Sequence, residues 1–348
     1  MIKGIAKTEA TYRAITRDSS SSLKEFSMDR KKYYRKYVLG EKIEDDESKA
    51  ATMGRLVETK LMEPELFDEK FYLSTCQSVP TGLMLDFVEA LYKHMIESVD
   101  ENDELTRPFD DIAQEAYRDS GFKIKYEAVL AKFTGSEAEV YFDEIMLVRR
   151  KGLTVVSVKD VTNAERIVEA LQTSPNTSPI VNQTRTNRYD VYNQLQVEQY
   201  QVHGHLFKSM MDKVIVDHEN KTIQTYDLKC TWSVEGFYKE YYLYRRAYIQ
   251  AFLYWHATHF HFHELVDQGY RVEYPQFIVC DSTNYLHPLV YTLATVDMVE
   301  AREGFDYKGS RYPGVLEVID DLKWAIENDV WNMSHKNYLS GGIVNVKG

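Results

Sequence analysis

The sequence predicts an α/β chain, a central mixed β-sheet flanked by helices with a helical N-terminal part. Residues 197–231 hold three consecutive strand-prone runs, and the segment 233–260 repeats its aromatic residues at helical spacing. One further strand-like run, PQFIVCD, precedes a helical C-terminal region, and strands interleaved with helices define the class. At 348 residues and 44% hydrophobic content the chain can bury a core, and a single domain is expected. Its parts would be N-terminal helices in 1–75, a helical insert region in 76–190, a sheet and helix core in 191–285, and helices in 286–348.

Taken in order, the serines of residues 18–22 mark a helix start, and LKEFSMDRKKYYRKYVLG runs on to Gly40, where a helix stops readily. Leu23, Phe26, Tyr33, Tyr34 and Tyr37 are its apolar and aromatic positions. A second helix is predicted over 47–62, ended by Pro64, and carries Gly54 and Glu58 four apart. Residues 81–133 read as helical, 138–148 as strand-prone, and TNAERIVEALQ as a helix. The segment TSPNTSPIVNQTRTN has the Ser, Pro, Thr and Asn content of a loop, with mobility expected near 174–188. The strand runs are VEQYQVHGHL, FKSMMDKVIVD and KTIQTYDLKCT, the last two joined by a turn at HEN. SVEGFYKEYYLYRRAYIQAFLYWHATHF reads as one long helix, and 296–328 as the C-terminal helical region.

No apolar run approaches the roughly 20 residues that span a bilayer. The first residues lack the apolar core and cleavage site of a secretory leader, so the expectation is a cytoplasmic protein without a membrane partner. Cys76, Cys230 and Cys280 are odd in number and show no Cys-x-x-Cys spacing, which argues against a disulfide framework or thiolate zinc. His256, His259, His261 and His263 crowd one segment, but a zinc site needs three or four ligands in tetrahedral geometry, and helix-end histidines near solvent are commoner. No Walker loop or dinucleotide fingerprint is present, which speaks against an ATP-driven helicase. The net charge of −12 argues against nucleic acid, because phosphate binding relies on Lys and Arg. Basic runs at 30–32 with 35–36, at 149–151 and at 245–246 keep a local positive groove open.

Chemistry concentrates in QTYDLKCT. Alternation along a strand puts Asp227 and Lys229 on one face, expected to be the chemical one, with Tyr226, Leu228 and Cys230 on a core face. If Glu219 and Asn220 form a two-residue turn, His218 faces Lys221, and counting outward sets Asp212 opposite Asp227. Two facing carboxylates repel each other unless a cation lies beside them, and a divalent ion and Lys229 are the natural candidates. Hard oxygen ligands suit Mg²⁺ or Mn²⁺, with the Leu228 carbonyl as a further ligand. Such a site fits phosphodiester hydrolysis, while the ordinary reading of an isolated Asp-x-Lys is a surface hairpin pair.

The series MGRLVETKLMEPELFDEKF, KSMMDKVIVD, YDLKCT and YIQAFLYW resembles the PD-(D/E)xK nuclease superfamily, and within it the phage and bacterial exonuclease branch related to exodeoxyribonuclease VIII. The resemblance spans residues 19–281 and implies a restriction-endonuclease-like core. It assigns Asp212 and Asp227 as acidic metal ligands, Lys229 as the motif lysine, and Gln250 and Tyr254 as the downstream Gln-x-x-x-Tyr pair, one helical turn apart. Many relatives carry Gly-x-x-x-His where this chain has Gly54 to Glu58, so Glu58 stands as a metal ligand or a surface charge. Glu198 is a candidate partner for a metal-bound water. The implied activity is a metal-dependent exonuclease, 5′ to 3′ on linear duplex ends, acting in recombination as a ring-shaped homo-oligomer. Lys31, Lys32, Arg35 and Arg245 would line its channel. Whether a single-strand annealing protein is the working partner stays open, as do an endonuclease on the same fold and a catalytically silent DNA-binding relative.

Overall fold

Strand β1 (Tyr189–Val202) pairs antiparallel with β2 (His205–Asp217), and β2 antiparallel with β3 (Thr222–Thr231). The computed structural model describes residues 8–41, 49–100, 104–283 and 287–344. Its contacts divide the chain into two compact units, residues 1–63 with 164–348, and residues 64–163. In the first unit β3 also pairs in parallel with the short β4 (Arg271–Val272) and with β5 (Gln276–Asp281), which pairs antiparallel with β6 (Leu289–Tyr291). The expected mixed sheet is therefore present, in the order β1-β2-β3-β5-β6.

The run VEQYQVHGHL is not one strand. His203 and Gly204 both adopt positive φ, 50° and 77°, and make the tight turn from β1 into β2. The helix predicted to begin near Ser19 forms as α1 (Ser20–Met28), capped by Ser19, whose Oγ accepts from the Ser22 N–H at 3.3 Å while Ser22 Oγ accepts from the Ser19 N–H at 2.8 Å. It stops at Asp29, which starts a new turn by accepting from the Lys32 N–H at 3.0 Å; the sequence pattern showed the aromatic spacing but hid this break. Helix α2 (Lys49–Met62) follows as expected, and residues 47 and 48 lie outside the described set.

The long helix predicted over 233–260 is interrupted. A π-helical stretch, Tyr238–Tyr244, gives way at Arg246, which has φ 54° and ψ 43°, and α3 (Ala247–His261) starts afresh. Arg246 is held there by donating through Nη1 to the Ser27 carbonyl at 2.6 Å, a tertiary contact that local periodicity cannot show. Ten of the residues of α3 are buried, so the helix is wrapped nearly all round. Its core partners include Leu23 and Phe26 of α1, Val214 and Val216 of β2, Ile223 of β3 and Phe277 of β5. The C-terminal region is helical only in part: α4 (Thr295–Glu303) and α5 (Val315–Asn328) flank an antiparallel hairpin, Gly304–Tyr307 with Ser310–Pro313. Gly304 needs its positive φ of 84° there, and a Cβ would meet the Tyr312 carbonyl at 2.7 Å.

In the segment read as a loop, a helical turn Ser178–Val181 forms, and Thr177 Oγ1 donates to the Leu171 carbonyl at 2.6 Å. The second unit packs Leu83–Glu97, Phe109–Asp119, Tyr126–Phe133 and Glu137–Lys151 around Phe87, Leu91, Ile112 and Phe133. The last of these helices contains the stretch 138–148 that the sequence presented as strand-prone. Ser136 caps it, Gly152 ends it in the left-handed conformation, and Ala138, Phe142, Ile145 and Val148 bury one helical stripe. Packing of that stripe overrides the β-propensity of its aromatic and branched residues.

Candidate active site

The β2–β3 register decides whether Asp212 and Asp227 meet. Asp217 pairs with Thr222 and Lys213 with Tyr226, so the next step along the hairpin sets Asp212 opposite Asp227, the register expected from the sequence. The turn itself differs, because residues 218–221 form a four-residue connection and His218 does not pair with Lys221. Lengthening both sides by one leaves the faces unchanged. Asp217 closes this turn, its Oδ1 accepting from the N–H groups of Glu219 at 2.9 Å and Asn220 at 3.1 Å.

At the other end the ladder stops after Lys213↔Tyr226. There Asp212 Oδ2 accepts from the Leu228 N–H at 2.7 Å, a side chain standing in for a strand. In extended backbone a residue's N–H and C=O point the same way, so the Leu228 carbonyl is also directed toward the β2 side.

Asp227 is 1% exposed, and the two oxygens of its carboxylate have different company. Oδ1 accepts from Gln250 Nε2 at 2.7 Å. Oδ2 is paired with the Lys229 ammonium and accepts no hydrogen bond from any other group among the described residues. Gln250 Nε2 also donates to the Tyr254 hydroxyl at 2.9 Å, and Tyr254 donates to the Met210 carbonyl at 2.7 Å. One turn of α3 thus ties β3 to β2 just where their ladder has opened.

The expected split into a core face and a chemical face does not hold. Ile223, Thr225 and Asp227 are the buried set and lie under α3, with Thr225 bonded to Thr258 at 2.8 Å. The opposite face is covered at one end: a Cβ on Gly54 of α2 would lie 3.7 Å from Cys230 Cβ. With α3 over one face and α2 against the Cys230 end of the other, whose Gln224, Tyr226 and Leu228 are half-buried, the buried carboxylate sits under α3 near the place where the strands part.

The charges gathered there are out of balance. Burial, then Asp227 and Glu58, push the Asp212 carboxyl well above the usual carboxylate range, against the opposing pull of Lys229 and the Leu228 N–H. Burial works to lower the Lys229 ammonium, but Asp227, Asp212 and Glu58 outweigh it and hold it above the ordinary lysine value. Burial and the two aspartates also push the Tyr254 hydroxyl far up, so it acts as a neutral donor. Glu58 reaches this group from α2 while hydrogen-bonding Gln194, whose φ of 50° marks an irregular point of β1.

Sequence reasoning missed one member. Lys24 of α1 donates to Gln250 Oε1 at 3.3 Å, from 226 positions away. Burial and the neighbouring Lys229 and Arg245, partly offset by Asp227, bring its ammonium down to about 8. The available signal was a lysine set between the core residues Leu23 and Phe26, but nothing local names its partner.

No protein-family model matches the chain, and no curated protein matches it. Among solved structures it is similar to a "Putative exonuclease" from Eubacterium rectale, at 12% identity and a TM-score of 0.47, over 98% of this chain and 89% of that one. So distant a likeness carries no argument about activity, and the site has to be judged on its own geometry.

Of the other predicted residues, Arg245 stacks its guanidinium 4.6 Å from the Tyr241 ring and is near enough to act on Lys24. Lys32 and Arg35 are engaged within the chain, with Glu25 at 2.7 Å and Glu41 at 2.6 Å, while Lys31 is exposed on the turn Arg30–Tyr33. Glu198 is exposed at the β-bulge between Val197 and Tyr200. His259 and His263 bond carbonyls of their own segment, those of Trp255 at 2.9 Å and Phe260 at 3.0 Å, and burial lowers the His256 ring to about 4. No group of three or more His, Cys, Asp or Glu side chains among the described residues is assembled as a ready metal cage. The donor chemistry nevertheless suits a hard divalent ion: three crowding carboxylates, one with a buried oxygen that accepts no further hydrogen bond.

Proposed function

We propose that this chain is a metal-dependent deoxyribonuclease that hydrolyses phosphodiester bonds, in the form of an exonuclease running 5′ to 3′ on linear duplex ends. The observation that carries the reading is the Asp212–Asp227 pair, set face to face at the opening of the ladder with Lys229 on one carboxylate oxygen. Folding would not gather like charges in a buried place for stability, and strongly shifted groups of this kind are characteristic of reactive sites.

Asp212 and Asp227 would hold Mg²⁺ or Mn²⁺, with Glu58 and the Leu228 carbonyl as further oxygen ligands. Bound there, the ion polarises a phosphoryl oxygen and makes a water more acidic. The protein's own share is positioning. Gln250 fixes Asp227 through Oδ1, Tyr254 fixes the strands around it, and Lys229 orients the attacking water or meets charge developing on phosphorus. The cationic Lys24, Lys229 and Arg245 give a chain of net charge −12 a local place for a phosphate. A ring of subunits would extend such a groove into a channel.

The test is a time course on linear duplexes labelled at the 5′ or 3′ end, beside a covalently closed circle, with Mg²⁺ and with EDTA. Metal-dependent release of 5′-phosphorylated nucleotides from the linear substrates alone is expected. Cleavage of the circle would replace the exonuclease with an endonuclease. A second reading, a nuclease-like module that binds without cutting, is favoured by the intramolecular partners that Asp212, Asp227 and Glu58 already have. Isothermal titration showing no uptake of Mg²⁺ or Mn²⁺ would establish it and end the nuclease reading.

A further inference from the structure

Trp255, Trp324 and Trp331 all pack against the core. Trp232 is placed differently: it is 68% exposed, and its side chain has neither a hydrogen bond nor a ring partner among the described residues. It is the first residue after β3, where β3 and its parallel neighbour β5 end together at the Thr231↔Asp281 pair. An isolated exposed aromatic is ordinary on most of a protein surface. Here two further observations bear on it. The first is reach: Trp232 lies three residues beyond Lys229, so their α-carbons are at most about 10 Å apart. The second is a cation at the same strand end. Tyr241 donates its hydroxyl to the Cys230 carbonyl at 2.9 Å, and the exposed Arg245 guanidinium lies 4.6 Å from the centre of the Tyr241 ring. Arg245 therefore stands beside the end of β3 that Trp232 continues, and both it and Lys229 are near enough to act on Lys24.

An exposed π-face with a cation close by fits a polymer that alternates bases and phosphates. The net charge of −12 sharpens that fit, because a chain that repels phosphate overall gains little from counterion release and has to draw affinity from contact with the bases. Inside a duplex every base is stacked on both sides and offers no face. An unpaired strand offers one at each nucleotide. Resting on the nuclease reading, we infer that Trp232 is a base-stacking contact for an unpaired strand end, so that the substrate engaged is a single-stranded or frayed terminus rather than an intact duplex. A stacked strand advances about 3.4 Å per nucleotide, so a strand with a phosphate at Lys229 brings a base to Trp232 within about three nucleotides. Arg245 meets a phosphate of the same strand.

The experiment measures binding by fluorescence anisotropy, with Ca²⁺ in place of Mg²⁺ to hold turnover back. The probes are a single strand, a duplex with an unpaired 5′ tail and a blunt duplex, against wild type, Trp232→Ala and Trp232→Phe. Wild type should bind the single strand and the tailed duplex more tightly than the blunt one. Trp232→Ala should weaken those two by on the order of tenfold and erase the preference, while Trp232→Phe keeps a stacking face and stays within about threefold of wild type. Phe260→Ala, which removes an equally exposed aromatic near the far end of α3, should bind as wild type does. A single abasic site moved along the tail identifies the stacked base: at one position it should weaken wild type as Trp232→Ala does, and cost the Ala variant nothing more. Equal binding of blunt and tailed duplex by wild type, or no abasic position whose penalty disappears in Trp232→Ala, would overturn the inference. So would sedimentation showing that Trp232→Ala breaks up an oligomer, which would make this face a contact between copies of the chain. If wild type binds none of the three DNAs, it is the nuclease reading that fails and takes this inference with it.

Discussion

The two ends of the β2–β3 hairpin treat the same residue type in opposite ways. At the turn, Asp217 accepts from the Glu219 and Asn220 N–H groups and from Asn220 Nδ2 at 2.9 Å, and pairs with Arg188 at 2.8 Å. The Arg188 guanidinium, with those turn hydrogen bonds, holds its carboxyl well below the usual range. At the open end of the same strand Asp212 has one backbone N–H and two carboxylate neighbours, and its carboxyl is pushed up. The turn end is built to hold register. The open end is a local cost that the register makes unavoidable, and on the proposed nuclease reading one that substrate and metal would relieve.

The largest effect expected from this contrast is on catalysis. Asp227→Asn keeps the shape and the Gln250 contact yet should reduce turnover of linear duplex by on the order of 10³, while Asp217→Asn should leave kcat within about twofold. Steady-state rates on end-labelled DNA check both. If Asp217→Asn were as damaging, turn and site would be one functional unit and the contrast would collapse.

Stability should respond in the reverse sense. Asp217→Ala leaves two turn N–H groups without their acceptor and Arg188 with Glu219 alone, and should cost about 2 kcal/mol, seen as a lower urea midpoint at unchanged slope. A smaller gain is expected at the other end. Asp212→Asn, measured in EDTA, should stabilise the fold by about 1 kcal/mol, because removing charge from a crowded carboxylate helps a protein that is not turning over. A destabilised Asp212→Asn would mean that its bond from Leu228 outweighs the repulsion.

What the sequence could and could not disclose follows the same division. The facing of Asp212 and Asp227 was legible because strand parity and a short connection fix it, and the four-residue turn preserved that parity. Gln250 and Tyr254 were legible only through the resemblance, as its Gln-x-x-x-Tyr pair. Lys24 was not, since its partner lies across the fold. The burial of Asp227 was equally hidden, because cladding of the sheet is a property of α2 and α3 packing rather than of β3. The break at Arg246 and the hairpin inside the C-terminal helical region were lost for a like reason: a contact to Ser27 and the close approach at Gly304 are tertiary. At 138–148 branched and aromatic residues spoke locally for a strand, and a buried helical stripe decided otherwise.

The smallest effect is also the most discriminating, because the two aspartates must give pH dependences in different windows. Asp217 has a lowered folded value, so its stabilisation is complete above the ordinary carboxylate value of about 3.9 and is lost as pH falls through the lowered one. Asp212 has a raised folded value, so its ionised form costs stability at higher pH, and that cost disappears as pH falls through the raised value toward the ordinary one. In metal-free urea titrations run downward from pH 8, the advantage of Asp212→Asn over wild type should fade first, while carboxylates elsewhere are still ionised. The deficit of Asp217→Asn should persist through that window and close only in stronger acid. Should the two differences close together, the two ends of the hairpin would share one electrostatic environment, and the site would lack the charge imbalance that the proposed chemistry requires.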